Sequence, residues 1–247
     1  MKTLNNNIVI VTLLLFASPV FFAQNAIQGD IENWTHGEVL LLFSDFISRE
    51  EITMGSISAQ GKITIDLDDD FLEQQKKAAE KAKAKAPKGW KMKFNTVATS
   101  FACNAEGVVC ENDSIVLSGL PQLEAVSKYG PSTYGYLYST NKAQLSSWLF
   151  HYSQVDAVKG YYLRWFFAED KASVKGLYSI PTYTGNEDEN YINTTVYNLE
   201  LQKGWNIIKY EITETFTSQT GKVAASKTEV TKIDEVPEDA QWFLVSE

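Results

Sequence analysis

The chain predicts an all-β fold, arranged as two packed β-sandwich-like modules with one surface helix inserted near residues 71–86. Three observations carry that expectation. Apolar residues recur at every second position in many short segments, the periodicity of half-buried strands. Glycine-containing turns separate those segments, the pattern of sandwich or barrel-like packing. The chain also holds 13 Phe, 12 Tyr and 6 Trp, bulky residues that favour strands and fill cores.

The alternation starts at Ile27, Gly29 and Ile31, and Asn33-Trp34-Thr35-His36-Gly37 reads as a turn. Val39 to Phe46 is a continuous apolar strand. Ile52 to Ser58 and Lys62 to Leu67 form a hairpin around Ala59-Gln60-Gly61, with Ile63, Ile65 and Leu67 on one face. Asp69 or Asp70 can cap a helix from Phe71 to Ala86, rich in Ala, Lys, Glu and Gln and stopped by Pro87-Lys88-Gly89. Beyond Phe71 and Leu72 its apolar face is only alanine, so it should ride on the surface with its lysines exposed. Trp90, Met92 and Phe94 resume the two-residue period.

Further strands are expected at Ile115 to Leu120, Tyr134 to Tyr138, Trp148 to Tyr152, Tyr161 to Phe167 and Val174 to Ile180. Pro121 to Pro131 reads as a connector, which sets the expected modules at 24–124 and 125–247. Tyr197, Leu199 and Leu201 lead into a hairpin around Lys203-Gly204, whose second arm runs from Trp205 to Ile212. The alternation slips between Trp205/Ile207 and Ile208/Tyr210/Ile212, which suggests a bulge. Thr217 to Glu229 is polar, and a last strand lies near Trp242 to Val245.

Ahead of the strands, Lys2 precedes an apolar run from Ile8 to Phe22 that ends at Ala23-Gln24. This is the pattern of a secretory signal peptide over residues 1–23, and at about 15 residues the run is short for a membrane span. Phe21 stands three before the cut, where a small residue is preferred, so an uncleaved anchor is the competing reading. No second long apolar stretch follows, so no transmembrane segment is expected in the mature chain. The expected location is outside the cytoplasm: periplasm, cell surface or secreted.

The formal net charge of −9 argues against a nucleic-acid binder. Arg49 and Arg164 are the only arginines, which disfavours a phosphate-reading site. Cys103 and Cys110 are the only cysteines. In an oxidising compartment they should bridge, closing an eight-residue loop for about 2.5 kcal/mol. A structural zinc would need four ligands, and His36 and His151 are the only histidines.

Ile27-Gln28-Gly29-Asp30-Ile31-Glu32-Asn33-Trp34, then Gly55-Ser56-Ile57 and Gly61-Lys62-Ile63, resembles the opening of a group of exported bacterial β-sandwich proteins. Their leading module is similar to the carboxypeptidase-regulatory-like sandwich. Phe167-Ala168-Glu169-Asp170, Val174-Lys175-Gly176 and Leu201-Gln202-Lys203-Gly204-Trp205-Asn206 resemble the second half of uncharacterised proteins of that group, and Phe21-Phe22-Ala23-Gln24 is similar to Bacteroidetes leader ends. The lysine-rich helix departs from the group's pattern. The group has no agreed catalytic residues, so the resemblance implies none here.

Candidate sites are few. Asp66, Asp68, Asp69 and Asp70 could hold calcium, but they lack the glycine turn and distal glutamate of an EF-hand, and the favoured reading is a strand end and helix cap with no cofactor. Glu187-Asp188-Glu189 is a second such run. From Glu73 to Lys93, eight lysines face two glutamates, so Lys76, Lys77 and Lys81 could dock on an anionic envelope surface; the alternative is a solvated helix with i,i+4 ion pairs. Tyr161 and Trp165 sit on an aromatic strand that is either buried between modules or exposed for stacking on sugar rings. No G-x-S-x-G sequence is present, and neither histidine has a motif around it. The expectation is therefore a non-enzymatic, exported protein that binds or scaffolds at the envelope, its partner a protein or glycan. The alternative is an envelope glycan hydrolase with a carboxylate pair.

Overall fold

A computed structural model describes residues 26–44, 51–85, 89, 93–186 and 188–246. The expected signal peptide at 1–23, and Trp90 and Met92, lie outside them. Strands dominate, and the all-β class holds. One hydrogen-bonded path runs through β1 (Ala26–Asp30), β4 (Lys62–Asp66), β3 (Glu51–Ile57), β2 (Val39–Ser44), β7 (Glu124–Ser127), β8 (Thr133–Thr140) and β9 (Gly160–Ala168). It continues through β12 (Gly204–Thr217), β13 (Val223–Ile233), β11 (Asn190–Leu201), β10 (Ala172–Tyr183) and β5 (Val108–Glu111). Off the path, β14 (Gln241–Val245) pairs with β8 and β6 (Leu117–Gly119) with β9. Every pairing is antiparallel except β11 with β13.

The expected joint between 124 and 125 falls inside β7, which pairs with β2 on one side and β8 on the other. What divides the molecule is instead the two faces of β9 and β12. Tyr161, Leu163 and Trp165 on one face of β9 join a core with Ile27, Leu41, Ile63 and Ile65. On the other face, Phe166 and Ala168 join a second core with Val174, Leu199, Leu201 and Val230. In β12, Ile207 belongs to the first core and Ile208 to the second. This explains the slipped alternation in that strand: both faces are buried, and no bulge lies there. The register shifts come later, between Ile212 and Thr215.

The expected hairpin around Lys203-Gly204 does not pair. β13 lies between β11 and β12, antiparallel to one and parallel to the other. Its sequence shows no apolar alternation because Lys227 and Glu229 face outward in an ion pair, while Ala224, Thr228 and Val230 line a cleft.

The residues expected as a strand from Trp148 to Tyr152 belong largely to a helix, α3 (Ala143–Phe150). Leu145 and Ser146 are fully buried, and the helix closes through Ser153 N–H donating to Trp148 O at 2.9 Å. Tyr152 and Ser153 adopt φ of 49° and 64°, left-handed backbone that ends a helix and excludes an extended strand.

The hairpin from β3 to β4 forms as expected. Ser58 Oγ accepts from Gln60 N–H and Lys62 N–H, and Gly61 takes φ +82° to complete the turn. The lysine-rich helix, α1 (Phe71–Lys85), also forms. Phe71 packs on Trp205 and Phe167 with ring centroids 4.8 and 6.3 Å apart, and Trp205 Nε1 donates to Asp68 O, fixing the helix start. Ala79 is buried alongside Phe71 and Leu72, so the helix packs more of its length than its alanine face suggested.

Candidate functional site

Cys103 and Cys110 form a disulfide with Cα atoms 5.6 Å apart. It ties the loop after α2 (Val97–Ser100) to β5. Thr96 caps α2, its hydroxyl accepting from Thr99 N–H while Thr99 Oγ1 accepts from Thr96 N–H at 2.8 Å. Phe101, just past α2, packs edge-on against Tyr197 at 5.8 Å.

That contact closes one end of a trough on the second-core face of the sheet. The trough has a volume of about 480 Å³. A row of directly opposed residues crosses its floor: Tyr162 on β9, Tyr210 on β12, Val230 on β13 and Tyr197 on β11. Tyr162 and Tyr210 stack with centroids 5.0 Å apart and planes 3° apart. Tyr191 and Phe216 make a second stack at 5.0 Å and 8° nearer the open end. On β11 the trough-facing residues run Tyr191, Asn193, Thr195 and Tyr197, then Leu199 and Leu201 enter the core. Trp148 and Ser153 line the trough from the α3 side.

Burial raises the hydroxyl pKa of Tyr162, Tyr191, Tyr197 and Tyr210 above the usual phenol range. Arg164, over the faces of Tyr162 and Tyr210 at 5.7 and 6.0 Å, partly opposes the rise for that pair. These phenols therefore stay neutral hydrogen-bonding groups at physiological pH. Among the described residues Lys222 is the only charged one on the lining, and no carboxylate or histidine is on it. Glu189 lies close by but is engaged: its carboxylate accepts from Thr184 Oγ1 at 2.9 Å and Gln219 N–H at 2.8 Å, joining Thr184 to the β12–β13 turn.

The residues singled out from sequence do not gather here. Tyr161 and Trp165 are buried in the first core, so the aromatic strand is not an exposed strip: Trp165 stacks on Trp242 at 5.6 Å, and Tyr161 donates to Asp239 Oδ1 at 2.5 Å. Tyr162, one residue away on the opposite face, reaches the trough. Lys76 is not free for docking either. It pairs with Glu169 at 3.0 Å and Glu73 at 3.2 Å, strapping α1 to the end of β9, whereas Lys77 and Lys81 are exposed.

Asp66 ends β4, Asp68 O accepts from Phe71 N–H, and Asp70 Oδ1 accepts from Gln74 Nε2. Among the described residues, no three of His, Cys, Asp and Glu converge as a metal site would need. His151 ends α3, with Nδ1 2.8 Å from Ser147 O. His36 packs against Trp34 and Tyr134 at 5.0 and 4.6 Å.

His36 also lines a separate groove of about 830 Å³ between β1 and β14, with Asp30, Glu32 and Glu238. All three carboxylates are exposed. Comparison of the chain with protein-family models, with curated proteins and with solved structures finds no match.

The trough was readable in part. Tyr191, Asn193, Thr195 and Tyr197 form a polar-aromatic face at period two, directly ahead of Leu199 and Leu201. The opposing wall came from β13, which carried no strand pattern.

Proposed function

We propose that this is an exported, non-enzymatic binding protein, and that its tyrosine-floored trough takes a neutral, hydroxyl-rich ligand of glycan type. The observation that carries the reading is the lining itself. Five tyrosines, with threonine, serine and asparagine side chains between them, offer ring faces and neutral hydrogen-bonding groups, and among the described residues no carboxylate joins them. Ring faces stack on the apolar face of a sugar, and hydroxyls and amides match its OH groups. The volume falls within the range of small-molecule sites, about 300–1,000 Å³. General acid–base catalysis needs a titratable group within reach of the substrate, and among the described residues Lys222 is the only one on this lining besides the neutral phenols.

Export is supported by the apolar leader behind Lys2, by a disulfide of the kind that persists in oxidising compartments, and by the likeness to exported sandwich proteins. Among the described residues no helix is long and apolar enough to cross a membrane.

The test is affinity electrophoresis of the mature chain through gels carrying neutral polysaccharides, paired with product analysis of the same glycans in solution. Retardation with the glycans recovered intact supports the reading. Release of shorter saccharides would move the protein to the hydrolase class.

A further inference from the structure

A second cavity of about 340 Å³ opens where β8 and β9 part. The two strands pair only at Thr140 and Tyr162, and β9 turns to β6 from Phe166 onward, leaving a seam beside Leu163 and Arg164. The inner walls are apolar, with Ile65, Leu123, Leu137, Leu163 and Trp242. Arg164, Tyr138, Tyr152 and Gln122 bring polar groups to the same lining, and among the described residues no carboxylate belongs to it.

Arg164 is the notable member. It is exposed, it makes no ion pair with a carboxylate among the described residues, and the Tyr162–Tyr210 stack holds its guanidinium by cation–π contact. Two buried polar atoms without a hydrogen-bond partner, Trp165 Nε1 and Ser139 Oγ, also belong to residues that wall this cavity. Such orphans are rare in folded proteins and call for an explanation.

We propose that this seam cavity is a binding site for a small amphiphilic carboxylate, with its apolar body among Leu137, Leu163 and Trp242 and its carboxylate on Arg164. The planar guanidinium matches a carboxylate bidentately, which a lysine cannot do. The apolar depth disfavours a small inorganic anion, and the single positive charge disfavours a polyanion. Tyr162 borders both this cavity and the trough, but the two linings differ in chemistry, so this proposal does not rest on the glycan reading.

The experiment is isothermal titration of the mature chain with octanoate and with octanamide, its neutral isostere. Octanoate is expected to bind saturably and at least ten-fold tighter than the amide. Arg164→Gln should erase that ratio while keeping amide binding and the melting temperature. Arg164→Lys, which keeps the charge without the fork, should retain part of the preference. Tyr191→Ala, in the trough, should leave octanoate binding unchanged. Equal affinity for acid and amide in the parent protein, absence of binding by both, or an acid preference that survives Arg164→Gln would each overturn the proposal.

Discussion

Ile207 and Ile208 are consecutive residues of β12, both are buried, and they belong to different cores. A strand normally hides every second side chain. Here β9 and β12 form a wall with apolar packing on both sides, and the trough is the open end of one of those sides.

The first prediction follows from that wall. Ile207→Ala and Ile208→Ala should each destabilise the protein by about 2–5 kcal/mol, the range for truncating a buried aliphatic side chain. Urea denaturation of the two variants decides it. If either change costs less than about 0.5 kcal/mol, as surface substitutions do, that face of β12 is not a core.

The disulfide holds the loop that carries Phe101 over the end of the trough. Replacing Cys103 and Cys110 with serine should lower stability by about 2.5 kcal/mol, the chain-entropy value for an eight-residue loop. It should also weaken ligand binding in the trough at temperatures where the fold is intact. A double variant with parental stability and binding would show that the bridge neither supports the fold nor shapes the cleft.

Lys76 and Glu169 give a pH dependence with a definite sign. The hydrogen bond from Lys76, then that from Val116 N–H, holds the Glu169 carboxyl below its ordinary pKa. A carboxylate with a depressed folded-state pKa contributes stability above its unfolded value, near 4.3, and loses it as pH falls through the folded value. Lys76 is shifted up, first by Glu169, so its share is present below about pH 10.4 and fades as pH rises through its folded value. Glu169→Gln should therefore flatten part of the acid limb of melting temperature against pH. Both side chains are partly exposed, so the effect should be small. Parallel acid limbs for the two proteins would contradict the strap.

The edge of β10 carries its own safeguard. β5 covers only Ser173 to Gly176, and among the described residues no strand pairs with the stretch from Leu177 to Tyr183 on that side. Leu177 N–H donates to Gly107 O, so odd-numbered residues of β10 point their backbone groups to the open edge. Pro181 is one of them and offers no N–H there. Pro181→Val should restore a donor and produce concentration-dependent self-association in sedimentation velocity. A variant that stays as monodisperse as the parent would leave Pro181 without this role.

Much of the fold was legible where one face of a strand met water. The β3–β4 hairpin, the lysine-rich helix and β14 all follow from period and turn chemistry. Where both faces are covered, as in β12, periodicity gave a false bulge. β13 was missed because its neighbours, not its own side chains, make it a strand: it ladders to β11 and β12, and one of its faces lines a polar cleft. For the same reason the trough could not be assembled from sequence. Its tyrosines come from four strands that register alone brings together.

The most direct test of the binding account is the affinity of the mature chain for a panel of neutral oligosaccharides, measured by titration calorimetry for the parent and for Tyr191→Ala. The account predicts saturable binding of at least one glycan and a loss of about 2- to 13-fold in the variant, the effect of removing one stacking ring worth 0.5–1.5 kcal/mol. Both proteins should leave the glycan uncleaved. Binding that is indifferent to Tyr191, or heat that arises from hydrolysis of the sugar, would contradict it.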